Sequence, residues 1–163
     1  MNMETIFSPC RKYRYTLWRK VPVTFSFDER KWSGPYVQFI GLNPSTANEV
    51  QNDPTIRRCI DFASRWGFTQ MCMTNLFGFC SAYPQEMMAS ADPIGENDRY
   101  LEEVGRNAGL IVAAWGAFSC AIERGKKVQE LFKGRLHHLG LNSDGSPKHP
   151  LYLRKDTTPI PFV

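Results

Sequence analysis

Three short apolar runs, residues 36–41, 71–77 and 110–114, are each followed by a loop and then a stretch with helical spacing, and this alternation constrains the fold most. Each run is too short for a buried helix, so each reads as a strand. Between the first two lies Asp53-Pro54, a side chain that can accept from free N–H groups followed by the residue suited to the first helical position. From there Ile56, Cys59, Ile60 and Ala63 recur at i, i+3, i+4 and i+7 and form one apolar face, with Arg57, Arg58, Asp61 and Arg65 elsewhere. Trp66-Gly67-Phe68 ends that helix. A second such pair, Asp92-Pro93, predicts a helix reaching about Asn107; residues 121–132 predict another, with Val128, Leu131 and Phe132 facing inward. Residues 136–139 read as a last strand, before a turn rich in Gly, Ser, Pro and Asp that leads to Lys148-His149-Pro150. The pattern predicts an α/β fold: a three-layer α/β/α domain with a mainly parallel central sheet.

Residues 13–19 alternate as a half-buried strand would, and residues 21–25 are expected to pair with them. That makes residues 1–35 a hairpin extension packed on a single domain spanning residues 1–163. Arg14 and Arg19 then fall on the solvated outer face of an edge hairpin, a reading preferred to a nucleic-acid contact. The composition, 42% hydrophobic and 22% charged with a mean hydropathy of −0.37, excludes a disordered tail or a collagen-like repeat. The longest apolar stretch, residues 110–115, falls far short of the ~18–20 residues that cross a bilayer. Arg and Lys crowd the first twenty residues with no apolar run behind them, so no signal peptide and a cytoplasmic location are expected. The five cysteines are scattered without a C-x-x-C pair and read as reduced thiols packed as small hydrophobes. A net charge of +4 permits a polyanionic partner without demanding one.

In parallel sheets, ligands bind outside the C-terminal ends of the strands. Three polar clusters stand at such ends: Asn43-Pro44-Ser45, Thr74-Asn75 and His149-Pro150. The residues opening the first helix could bind an anion, but Asp53 fills that place with its own charge, and a structural cap is the better reading. No Walker loop, H-E-x-x-H, G-x-S-x-G or dinucleotide fingerprint is present, which argues against kinase, zinc-protease, esterase and dehydrogenase chemistry.

The residues Tyr13-Arg14-Tyr15, 41–47, Asn52-Asp53-Pro54-Thr55, 74–77, Asp92-Pro93-Ile94-Gly95 and 147–152 together cover nearly the whole chain. In this pattern the chain resembles the bacterial and phage family catalogued as domain of unknown function 1643. More distantly, the loop after residues 36–41, Thr74-Asn75-Leu76, residues 114–117 and the late His149-Pro150 resemble the uracil-DNA glycosylase superfamily. That resemblance implies a glycosylase-like fold, a nucleic acid or nucleotide as partner, no metal and no cofactor, and hydrolysis of an N-glycosidic bond. It implies that Asn43 orients the attacking water, since an amide is a poor base, and that Asn75 reads a base edge with its one acceptor and two donors. Phe77 or Phe79 would stack on the base. His149 would donate to a base carbonyl and stabilise the departing base, as an oxyanion donor does in a dry site. Lys148 could bind phosphate, and Gly41, Leu42, Pro44 and Ser45 would line the substrate. His137 and His138 read as structural, one inward and one outward. The chain departs from the superfamily in having Leu151 and Tyr152 after His149-Pro150, without the usual serine, and Ser45 where glycine is usual. A turn-capping Asn43, a structural Asn75, and a non-catalytic nucleic-acid or nucleotide binding module stand as alternatives.

Overall fold

The computed structural model describes residues 3–22 and 31–163. Its strands are β1 (Ile6–Phe7), β2 (Arg14–Lys20), β3 (Val37–Gly41), β4 (Gln70–Asn75), β5 (Leu110–Ala113), β6 (Leu136–His138) and β7 (Ile160–Pro161). Its helices are α1 (Pro54–Arg65), α2 (Pro84–Ala89), α3 (Asn97–Asn107) and α4 (Ala121–Leu131), with a 3-10 turn at Pro150–Tyr152. The strands form one seven-stranded sheet in the order β1-β2-β4-β3-β5-β6-β7, so the fold is mixed α/β. The four inner strands β4, β3, β5 and β6 run parallel; β1, β2 and β7 are antiparallel to their neighbours. No helix among the described residues is long and apolar enough to cross a membrane.

The apolar runs become β3, β4 and β5 because their side chains are buried on both faces. On one face Val37, Phe39, Met71, Met73 and Val112 pack with Ile56, Cys59, Phe62 and Ala63 of α1. On the other, Ile40, Ile111 and Ala113 pack with Leu101 of α3 and Val128 of α4. Side chains as deeply buried as Phe39 each contribute about 1.5–3 kcal/mol. Asp53 caps α1 by accepting from the Ile56 amide at 2.9 Å, with Pro54 next, as the sequence indicates.

Several expectations need correction. β2 is not the edge strand of its hairpin: it pairs antiparallel with β1 on one side and with β4 on the other, with Leu17 opposite Met73 and Trp18 opposite Cys72. It is consequently buried along most of its length. Of the partner expected for it, residues 23–25 lie outside the described residues. The helix expected from Asp92-Pro93 starts instead at Asn97, because Asp92 accepts from the Gly95 amide at 3.0 Å and closes a turn. Leu131, expected to face inward, is exposed, while Val128 and Phe132 are buried. All five cysteines are free thiols, and Cys59 and Cys72 are buried.

Candidate functional site

The backbone ladder of β3 and β4 continues past the strands, with Leu76 N–H donating to Gly41 at 2.8 Å and Phe77 N–H to Leu42 at 3.0 Å. Beyond it, the C-terminal ends of β3, β4 and β5 open on a cavity of about 250 Å3. Of the residues singled out from sequence, Gly41, Leu42, Asn43, Ser45, Asn75 and His149 line it. Pro44, Phe77 and Lys148 do not. Pro44 contributes its carbonyl to the loop, accepting from Ser81 N–H at 2.9 Å. Phe77 is buried in the core with Met87 and Leu101, which removes it as a stacking face. Phe79 packs edge-on against Tyr13 instead. Lys148 lines an adjoining groove of about 560 Å3 that shares Thr55, Phe118 and His149 with the cavity.

Gly41 stands opposite Asn75 in the β3–β4 register, and a Cβ there would fall 2.7 Å from Asn75 Oδ1. The absent side chain is what admits the Asn75 amide over the strand end. Asn75 is 3% exposed and its Nδ2 has no partner among the described residues. Its backbone is fixed from the other side, where Asn97 Nδ2 donates to the Asn75 carbonyl at 2.5 Å and Arg124 Nε to the Leu76 carbonyl at 2.8 Å. Arg124 is in turn paired with Asp98.

Asn43 is half-buried, and its Nδ2 donates to the carbonyls of Pro44 (3.1 Å), Phe79 (3.3 Å) and Ser81 (2.9 Å). Three carbonyls fix which end of the amide is nitrogen, so Oδ1 is the end left to accept. The loop from 43 to 53 is held from β2: Arg19 Nε donates to Asn52 Oδ1 at 2.7 Å and its Nη2 to the carbonyls of Asn48 and Gln51. Arg14 Nη1 donates to the Ala47 carbonyl at 2.9 Å. The two arginines expected on a solvated face thus serve the loop. Arg14, only 2% exposed, also lines the cavity.

His149 precedes the 3-10 turn, and its Nδ1 accepts from Leu151 N–H at 3.2 Å. That bond assigns the ring proton to Nε2, leaving a neutral N–H donor. Burial pushes the His149 pKa below the ordinary imidazole value, against an opposing pull from Asp53. His138 repeats the arrangement, accepting from Gly140 N–H at 3.0 Å, and burial with the neighbouring His137 lowers its pKa too.

A pH dependence follows from these two imidazoles. Their depressed folded pKa values mean that the unfolded chain takes up protons first, so the folded state loses stability as pH falls below about 6.5. The contribution is fully present above that value and disappears as pH drops through the folded pKa values. The urea midpoint is expected to be lower at pH 5.5 than at 7.5, and the His138→Gln/His149→Gln double variant to flatten that slope. An unchanged wild-type midpoint would show that these rings are not held neutral.

Sequence reasoning missed Arg14, Asp53, Thr55 and Phe118 as lining residues. Phe118 is the aromatic side chain that reaches the cavity, one position beyond the segment at 114–117. Asp53 was legible only as a helix cap, and here it has both positions. A family model described as a protein of unknown function (DUF1643) matches residues 14–151. None of the curated proteins and none of the solved structures matches the chain.

Proposed function

The chain belongs to the DUF1643 family, and we propose from its site that the cavity binds a nucleobase and that the protein hydrolyses an N-glycosidic bond in the manner of uracil-DNA glycosylases. The observation that carries the reading is the meeting of Asn43, Asn75 and His149, from three distant parts of the chain, on one cavity of about 250 Å3. The helices packed on the two faces of the sheet, α1 on one and α3 and α4 on the other, support the three-layer arrangement such enzymes have.

In this reading Asn43 presents Oδ1 to a water while its Nδ2 stays tied to three carbonyls. The water is oriented, not deprotonated, so the reaction depends on making the base a good leaving group. His149 does this through its Nε2 proton, donating to a base carbonyl as negative charge develops there. Asn75 offers its unpartnered Nδ2 and neighbouring Oδ1 to the base edge. Phe118, exposed at the cavity mouth, takes the stacking role expected of Phe77. The adjoining groove, with Lys148 and Tyr152 along it, accommodates the remainder of a nucleotide or a single strand. The absence of an acidic side chain at position 43 favours, as a second reading, binding of the same ligands without turnover.

Titration of free nucleobases into the protein, combined with assays of base release from nucleosides and from single-stranded oligonucleotides, tests both. Binding with release supports hydrolysis. Binding without release leaves the second reading. Failure of every purine and pyrimidine to bind overturns both.

A further inference from the structure

Arg14 is 2% exposed and lines the cavity, yet no carboxylate among the described residues comes within the 4.0 Å that defines an ion pair with it. Its Nη1 donates to the Ala47 carbonyl, its Nε is sealed from solvent without a partner, and its Nη2 donates to no described residue. A buried charge left unpaired is among the costliest arrangements a protein can hold, and guanidinium cannot escape by losing its proton. The other buried arginine among the described residues is matched: Arg124, 7% exposed, pairs with Asp98. Asp53 is the one carboxylate among the described lining residues, and its Oδ1 is engaged by the Ile56 amide at the start of α1. Burial lowers the Arg14 pKa, and Cys80 and Asp53, acting from a distance, offset it only in part.

We propose that the cavity takes a ligand bearing an oxyanion and that Arg14 is the residue that holds it. The fork of the guanidinium suits two oxygens of one phosphate or carboxylate, and such charge-assisted bonds are short and strong. Ser45 and Thr55, lining the same cavity, add hydroxyl groups that can donate to the same anion. A volume of about 250 Å3 holds a small anion with a base, or a base that itself carries an acidic substituent, and no long polymer segment. The proposal deepens the nucleobase reading, on which it rests for the rest of the ligand: the substrate class becomes a nucleotide phosphate or an acid-substituted base, in preference to a neutral nucleoside.

The test measures affinity by calorimetry at fixed ionic strength for paired neutral and charged probes. The pairs are the common nucleosides with their 5′-monophosphates and uracil with orotate, and inorganic phosphate is titrated alone. In the wild-type protein at least one charged member is expected to bind about tenfold or more tightly than its neutral partner. Preference within the nucleotide pairs identifies a phosphate, and preference for orotate a carboxylate on the base. Arg14→Met is expected to erase the preference, bringing charged and neutral partners within about twofold of each other whatever its effect on the neutral partner's affinity. If that variant does not fold, Arg14→Lys, which keeps the charge but loses the fork, is expected to weaken the preference. The proposal is overturned if neutral and charged partners bind wild type equally, if neither binds, or if the preference survives in the variants. Inorganic phosphate bound through Arg14 with no added affinity from any base would uphold it and overturn the nucleobase reading instead.

Discussion

Under the proposed hydrolysis, His149→Ala is expected to slow base release by about 100- to 1,000-fold, the usual cost of removing one donor that meets developing negative charge. Only the Nε2 proton is available for that role, because Nδ1 is engaged by Leu151 N–H. The same bond makes the imidazole a cap for the turn at Pro150–Tyr152, so alanine also removes a cap worth about 1 kcal/mol. The two contributions separate in His149→Asn. Asparagine can still cap the turn but is too short to present a donor where Nε2 stood. If His149 acts chemically, asparagine restores the melting temperature and not the rate. Recovery of both would return the histidine to a purely structural role, and a rate within a few-fold of wild type in His149→Ala would remove it from the reaction.

Gly109→Ala is expected to destabilise the protein by about 3 kcal/mol or more, at the upper end of what overpacking costs. A Cβ at this position would lie 1.9 Å from the Ser33 carbonyl oxygen and 3.0 Å from Gly34 Cα. Both contacts are with backbone, which cannot rotate away as a flexible side chain can. The φ of Gly109 is outside the left-handed region, so the cost comes from contact alone. It is also hard to relieve, because Gly109 N–H donates to the Tyr36 carbonyl at 2.9 Å and leads directly into β5. Gly134→Ala is the matching control: φ is +83° and nothing stands within 4 Å of the added carbon, so it pays only backbone strain of about 1–2 kcal/mol. For a chain of this size the difference separates the two melting temperatures by several degrees. Equal melting temperatures would mean that the segment at 33–34 can move away from β5 freely.

Much of this architecture could be read from local signals. Asp53-Pro54 marked the start of α1 because cap and proline act within one turn, and the β3, β4 and β5 runs were legible because burial on both faces leaves them continuously apolar. β2 was misread for a corresponding reason. Arg14 and Thr16 alternate with Tyr15 and Leu17 as on a solvated strand, and only the placement of β2 inside the sheet, opposite Phe7 and Ile6 of β1 on one side and residues 70–73 on the other, reveals that the polar positions are buried. Asp92-Pro93 carried a true signal for a turn that also resembles a cap. At the site, Asn43 and Asn75 were found because they close strands. Phe77 was not separable from Phe118 by pattern: it continues the β3–β4 ladder into the core, and a ring just beyond a strand end carries no local sign of whether it turns inward or toward the cavity.

The position of β2 in the sheet also has a consequence for how the protein is made. β2 emerges from the ribosome well before its partner β4, and at ordinary elongation speeds the interval is on the order of seconds. During that time Leu17 and Trp18 lack the β4 strand they pair with. Arg14 reaches its place only when β2 docks, and His149 only after the last helix is complete. The cavity is thus complete only when β2 and the segment carrying His149, far apart in sequence, are both docked, and a ligand that filled it would select fully assembled molecules. Hydrogen exchange in β2 should slow on ligand binding even though most of that strand lies away from the cavity.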